Sequence, residues 1–457
     1  VPDPLGDVLG RYARTHGPFT TAQAAAALGL PEAAAAEVLQ RLETEGRVAS
    51  GAFRPGGGGR EWVDTGVLRR LRRRSLAVLR HEVEAVEPAA LVSFLPAWQG
   101  VGDDTVRPDR LLEIVHRLQG ASLPASILET DVLPSRMRYE PQHLETLLAA
   151  GTVCWVGAGS LGARDGRIRL YRRDQVPLLH DPVADSPDDE PHRAIRAHLA
   201  ERGASFFPDL YRAAGGGDPA AVLDALWDLV WAGEVTNDTF APLRAFVAAR
   251  RRTSGKSSAP SLSPPAGSGR WYLVPDLLTA NPSPEERARA RAEQLLDRAG
   301  IATRPGVLAE GVPGGFAGLY PVFSAMEDTG RVRRGYFIEG LGGAQFALPG
   351  AIDRLRSPAG PAPSFLAAAD PANPYGAALP WPEHEAGRAA RTAGAYVLFD
   401  DGRLIGFVSG RRALTFEAGP ESFAAALRDL ASRRLPRLVV STIDGNPATG
   451  SSWRGTL

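Results

Sequence analysis

Arginines set beside aromatic rings are the residues of this chain best equipped for chemistry. Phe53-Arg54, Arg60 with Trp62, Tyr171-Arg172 and Arg334 with Tyr336 each join a guanidinium group to a flat ring. A guanidinium grips phosphate through parallel N–H donors and a ring stacks on an unpaired base, so such pairs suit a nucleic acid. A ring in a hairpin also serves to cover its own sheet, and residue type alone leaves both uses open. A second source of positive charge is the run from Leu68 to Leu76, where Arg70, Arg73 and Arg74 sit between leucines at helical spacing. One face of that helix packs and the other is cationic, fit for phosphates or simply for solvent. Arg54, Arg60, Arg70, Arg73, Arg74, Arg172 and Arg334 are therefore the candidate nucleic-acid contacts. Distribution matters more than balance here, because 52 basic residues face 52 acidic ones and net charge is zero.

Other chemistries find little support. Cys154 is the only cysteine, which removes disulfide frameworks and cysteine-based zinc sites, and the eight histidines lack ligand spacing, so no metal is expected. Gly255-Lys256-Ser257 looks like the end of a phosphate-binding loop, but the glycine needed at position 250 is Arg250 and the surroundings are Ser- and Pro-rich. Gly311 to Phe316 and Gly340 to Gly343 read as turns. With that phosphate-binding loop incomplete, no motor and no cofactor are expected in this chain. No apolar run approaches the roughly 20 residues that cross a bilayer. With no secretion signal at its start, the protein is expected to be cytoplasmic, and Val1-Pro2 reads as a cut point within a longer chain.

The elements that must position these residues announce themselves as a repeat. A helical stretch ending in Gly, one further residue and then Val occurs at Gly46-Val48, Gly151-Val153, Gly233-Val235 and Gly330-Val332. Glycine closes the helix by taking the left-handed conformation, and valine opens a strand. The first copy is complete: a helix over Val8 to Arg14, a second from Thr20-Thr21 to Leu28, a turn at Gly29, a recognition helix from Pro31, and a hairpin from Arg47 to Asp64. That is a helix-turn-helix followed by a wing. The fold class is α+β: tandem winged-helix modules followed by a small β-barrel-like domain. The expected boundaries are a winged helix over 1–65, a basic helix plus winged helix over 66–180, a winged helix over 188–250, a flexible linker over 251–269, a winged helix over 270–356 and the barrel-like domain over 357–457. In the last, Ala395 to Phe399, Arg403 to Val408, Leu414 to Phe416 and Leu438 to Ser441 are expected strands, with Pro420 to Ser432 a helix. Each module is long enough to bury a core of its own, with Trp227, Trp231, Phe316 and Tyr320 left as apolar surface for neighbours.

Longer strings add a resemblance. Phe19-Thr20-Thr21, Gly58-Gly59-Arg60-Glu61-Trp62, Leu71 to Leu76, Pro96-Ala97-Trp98-Gln99-Gly100-Val101, Leu123-Pro124-Ala125-Ser126, Trp155 to Gly159, Glu310 to Phe316 and Asp370 to Gly376 resemble the C-terminal half of large helicase-related (Lhr) helicases. The resemblance implies the DNA-binding and oligomerisation region of a superfamily 2 helicase acting in DNA repair. Its ATP- and Mg²⁺-dependent motor would be a partner outside this chain, and single-stranded or forked DNA its ligand. The array is also similar to AlkZ-like winged-helix DNA glycosylases, which excise damaged bases with a Gln, an apolar residue and then Gln or Asp. Gln119-Gly120-Ala121 aligns with that motif, which makes Gln119 the candidate catalytic residue while Ala121 lacks the second polar group. Three readings stand: a DNA-binding and assembly module, a uracil or alkyl-base glycosylase on the same scaffold, and a protein-interaction platform without DNA contact.

Overall fold

The computed structural model describes residues 3–54, 59–71, 84–103, 105, 107, 109–163, 165–181, 186–248, 264–357, 363–417 and 419–450. The chain divides into two units, Val1–Glu84 with Ser324–Gly335 and Ala85–Phe323 with Tyr336–Leu457. Arg73, Arg74 and the greater part of the expected linker lie outside the described residues.

The first unit opens with the winged helix read from the sequence. Helices α1 (Pro4–Thr15), α2 (Thr21–Leu28) and α3 (Glu32–Thr44) precede strands β2 (Val48–Gly51) and β3 (Glu61–Asp64), and β3 also pairs with the short β1 (Phe19–Thr20). Thr20 caps α2 through a reciprocal capping box with Gln23, and Gly29 turns at φ 65°. Leu9, Phe19, Val38, Leu39, Leu42 and Trp62 form a core of its own.

The helix-closing phrase has one geometry in all four copies. Gly46, Gly151, Gly233 and Gly330 have φ between 67° and 76°. In each, the amide after the glycine bonds a carbonyl five residues back: Arg47 to Leu42, Thr152 to Leu147, Glu234 to Leu229 and Arg331 to Met326. That bond satisfies a carbonyl the helix end would otherwise leave orphaned.

In the second unit the next module runs through α4 (Ala90–Trp98), α5 (Arg110–Leu118), β4 (Leu123–Pro124), a short helix from Ala125, α6 (Pro141–Ala149), β5 (Val153–Ser160) and β6 (Gly166–Arg172), with sheet order β4-β6-β5. The third module has α7 (Glu190–Arg202), β7 (Ser205–Phe206), α8 (Phe207–Ala213), α9 (Pro219–Trp231) and β8 (Val235–Asn237). Its sheet is completed by β9 (Arg270–Leu273), which pairs Trp271 with both Ser205 and Asn237. This moves a boundary. Residues 264–269, expected in the linker, and 270–273, expected in the fourth module, belong to the third. Trp227 fixes the returning chain by donating from Nε1 to the Ala266 carbonyl at 3.0 Å. The fourth copy comprises α10 (Pro284–Ala299), β10 (Ile301–Ala302), α11 (Arg304–Ala309), α12 (Gly315–Asp328), β11 (Arg333–Gly335) and β12 (Gln345–Ala347), with β10 and β12 antiparallel.

The C-terminal domain is an open sheet. Six strands run in the order β13 (Phe365–Ala367), β14 (Ala395–Asp400), β15 (Arg403–Ser409), β16 (Arg412–Thr415), β17 (Thr442–Ile443) and β18 (Asn446–Pro447), and no described pairing closes the two edges into a barrel. Helix α13 (Pro420–Arg433) buries Phe423, Leu427 and Leu430. Asp401 and Gly402, at φ 45° and 75°, make the expected two-residue hairpin. The strand expected over Leu438 to Ser441 begins only at Thr442 and pairs in parallel with β16.

The second and third modules and the C-terminal domain do not bury separate cores. One cluster runs from Leu111 and Trp155 through Trp227 and Trp271 to Tyr396 and Phe423. Bare backbone permits it: a Cβ on Gly157 would stand 1.9 Å from the Val230 carbonyl oxygen, and one on Gly166 would stand 2.4 Å from the Trp231 ring. Trp227 and Trp231, expected at the surface, are 2% and 7% exposed: Phe246 and Trp271 of the same module cover the first, and Gly166 of the module before it packs on the second.

Candidate active site

Three parts of the second unit converge on a buried ion pair. The Arg136 guanidinium meets the Asp370 carboxylate through two bonds of 2.7 and 2.9 Å, and both side chains are buried. Arg136 also donates to the Gln99 side chain at 2.8 Å, and Gln99 donates to the Arg298 carbonyl at 3.2 Å. The bidentate geometry fixes orientation as well as position. It holds the second module, the C-terminal domain and the end of α10 around one cleft of about 320 Å³.

Each wall has a local cause. Ser283 and Glu286 form a capping box that starts α10, and Gly300, at φ 71°, ends it against Phe94. Arg298 therefore arrives in the last turn, 5% exposed, and its Nε lies 3.2 Å from Glu310 Oε1. Thr303 caps α11, and Glu310 is the residue that ends it. The Asp370 to Gly376 string is folded by its own side chains: Asp370 accepts from the Ala372 amide, and Asn373 bridges the Ala368 carbonyl and the Tyr375 amide. Arg391 closes that loop by donating to the carbonyls of Asn373, Tyr375 and Asp370 at 2.7, 3.1 and 3.0 Å.

The cleft is electrically lopsided. Arg167, Arg298 and Arg391 line it with Glu310 as the sole carboxylate among the lining residues. Burial pushes the Arg391 pKa down; Asp370 and Glu310 oppose that, and the neighbouring Arg167 charge adds to it. Arginine keeps its proton regardless, so a half-buried cation is left whose hydrogen bonds go to neutral carbonyls. Such a site favours an anion or a group becoming one.

Gln119 lies beside this cleft without lining it. It borders an adjoining cavity of about 60 Å³ with Tyr171, Arg169, Arg291 and Gln294, and Leu295, Arg298 and Glu310 line both cavities. Its amide is 2% exposed and engaged at both ends: Nε2 donates to Gln294 Oε1 at 2.7 Å, and Oε1 accepts from the Arg172 amide at 3.4 Å. Gly120, at φ 78°, bends the chain, and Ala121 lines the larger cleft. Gln119 and Ala121 thus line two adjoining cavities with a shared wall. At the buried His180, burial first and the Arg169 charge second pull the pKa down to about 4.

The candidate nucleic-acid contacts are not gathered at one place. Arg54 pairs with the buried Glu61, which also takes the Phe53 and Arg54 amides at 2.9 and 3.0 Å. Arg60 reaches Glu43 at 2.7 Å and lies 4.5 Å over the Trp62 ring. Arg70 donates to the Arg14 carbonyl at 3.5 Å, Arg172 pairs with Asp174 at 3.2 Å and Arg334 with Glu327 at 3.3 Å. All five have intramolecular partners, and the first three and Arg334 belong to the first unit while Arg172 belongs to the second. The cleft residues Arg167, Arg298, Glu310 and Arg391 were not singled out from the sequence. Only Glu310 carries a signal there, as the first residue of the Glu310 to Phe316 string. Among the described residues no group of three or more His, Cys, Asp or Glu is placed to hold a metal, and no helix is long and apolar enough to cross a membrane.

Residues 86–173 and 281–364 each match the family described as large helicase-related protein, winged-helix domain, the third and fourth such domains respectively. Two winged-helix domains of the large helicase-related family are present in this chain. The remaining Lhr likeness is long. An Lhr helicase/probable uracil glycosylase of Mycolicibacterium smegmatis is 45% identical over 478 residues, covering 97% of this chain and 32% of the relative. An Lhr helicase/uracil glycosylase of Escherichia coli is 36% identical over 492 residues, covering 95% of this chain and 31% of the relative. The chain thus spans about a third of the length of the curated Lhr relatives it matches. Among solved structures, the Streptomyces sahachiroi DNA glycosylase AlkZ aligns with a TM-score of 0.41 at 15% identity, covering 79% of this chain and all of that one.

Proposed function

We propose that this chain is a DNA-binding region of an Lhr-type helicase acting in DNA repair, and that its central cleft receives a uracil turned out of DNA and releases it from its sugar. The carrying observation is the cleft itself. Its volume of about 320 Å³ falls at the lower end of small-ligand pockets, and three guanidinium groups in it face one carboxylate. A base inside a duplex is reached only after extrusion into such a pocket, and the base leaves its sugar as an anion, which the guanidinium groups favour. The names of the two relatives, each carrying uracil glycosylase, support the same reading.

On this reading the winged helices hold the DNA, with single-stranded or forked DNA as ligand, and ATP and Mg²⁺ serve a motor outside this chain. Self-association is part of the proposal, and light scattering at micromolar concentration tests it by a mass above that of one chain. The deciding experiment incubates the chain with end-labelled DNA containing one uracil, followed by alkali. Strand cleavage at the uracil, absent with thymine, is the expected result. Intact strands at every enzyme concentration would overturn base excision, and release of an alkylated base alone would change the substrate.

A further inference from the structure

Base excision needs more than an electropositive pocket, and the structure offers one group for the missing role. Hydrolysis of a glycosidic bond requires a base that takes a proton from the attacking water. Gln119, aligned with such a role by sequence, has both ends of its amide committed and does not line the cleft. Glu310 does line it, and no other carboxylate does. Its Oε1 lies 3.2 Å from Arg298 Nε, an ion pair without a hydrogen bond, since that Nε has no hydrogen-bond partner among the described residues. The backbone places it firmly: its amide bonds the Gly306 carbonyl at 3.2 Å, and Gly311 follows at φ 67°. The carboxylate is therefore kept beside the guanidinium by charge, and 29% of its side chain is exposed to take a hydrogen bond from a water in the cleft.

We propose that Glu310 is the catalytic carboxylate of this cleft, an assignment that rests on the base-excision reading above. The water oxygen bonds to C1′ of the deoxyribose as Glu310 takes a proton from that water. The bond from C1′ to the base nitrogen breaks, and its electron pair leaves with the base. The departing anion meets the Arg167 and Arg391 guanidinium groups, and the proton on Glu310 passes to the base or to solvent. The products are a free base and an abasic sugar, with no oxidant or second substrate. Arg298 is a positioning residue in this scheme, since it orients Glu310.

The test is single-turnover release of uracil by the wild-type chain and by Glu310→Gln and Glu310→Asp, with affinity for the same DNA and melting temperature measured alongside. Removing the proton acceptor while keeping its shape is expected to slow release by about 100-fold or more, the usual contribution of a positioned general base. DNA affinity and melting should stay near wild type, and Glu310→Asp should recover part of the rate. An active wild type with a Glu310→Gln rate within threefold of it overturns the assignment. So does a Gln variant whose loss of rate is matched by a loss of DNA affinity or melting temperature, with no recovery by Asp. A wild-type chain that releases no base overturns the base-excision reading itself, and the assignment falls with it.

Discussion

The first winged helix and the third start from the same helix-closing phrase and end with opposite kinds of stability. The first surrounds Leu39 and Trp62 with its own three helices, and its arginines pair with carboxylates of the same module, as Arg54 does with Glu61. The third shares Trp231 and the end of its helix with the module before it, through Gly157 against Val230 and Gly166 against Trp231. A common local grammar therefore sets the module, while the missing side chains of two neighbouring glycines decide whether it stands alone. Independence belongs to the contact surface and not to the repeat.

Breaking the buried pair should separate the two regions most sharply. Asp370→Ala strands the Arg136 charge in a site with no exposure, and the second unit should lose about 3–5 kcal/mol. Urea unfolding followed by tryptophan fluorescence measures it. Wild-type stability in that unit would show the junction to be solvated. A smaller loss is expected from Gly157→Ala, whose new methyl must push backbone aside. We expect about 3 kcal/mol from the second unit, the upper end for overpacking, with the first module's Trp62 signal unchanged. A change at Trp62 as well would mean that the two cores are coupled.

Acid supplies a milder probe of the same contrast. His180 has a folded pKa of about 4 against an ordinary 6.5, so the unfolded chain binds its proton more readily. The stability is fully present above pH 6.5 and lost as pH falls toward 4, amounting to about 2 kcal/mol between pH 7 and pH 5. His180→Gln should flatten that dependence, and an unaltered pH profile in the variant would assign it to other groups. The smallest effect belongs to the first module's surface. Arg60→Ala breaks an ion pair with Glu43 whose side chains are 53% and 35% exposed, and it should cost under about 1 kcal/mol in a melting curve. The same substitution sharpens function too: lost DNA affinity without lost stability would return Arg60 to the nucleic-acid surface.

Legibility in the sequence followed sequence distance. The four glycine caps, the helix start at Thr20-Thr21 and the turn at Asp400-Asp401-Gly402 depend on residues within a few positions of one another, and they were readable. Strand Arg270–Leu273 was assigned to the wrong module because the Ser- and Pro-rich stretch before it looks like a separator, and nothing local says that the chain returns to β7 and β8. The barrel expectation found the three central strands of a six-stranded sheet, misplaced a fourth over Leu438 to Ser441, and had no information on whether edges meet. At the site, Gln119 was found by alignment, yet the bend at Gly120 turns it away from the cleft that Ala121 lines. Arg391 and Arg167 gave no signal, since each gains its meaning from walls more than a hundred residues away in the chain.

The late return of Arg270–Leu273 also has a consequence in time. A chain emerging from the ribosome at about 5–20 residues per second delivers Trp271 roughly 2–7 s after Asn237, its partner about 34 residues earlier. During that interval β8 has no neighbour to take its hydrogen bonds, and the pocket that Trp271 later fills beside Trp227 stands open. The third module is therefore the part of this protein most exposed to capture by chaperones, or by another nascent chain, while it is being made.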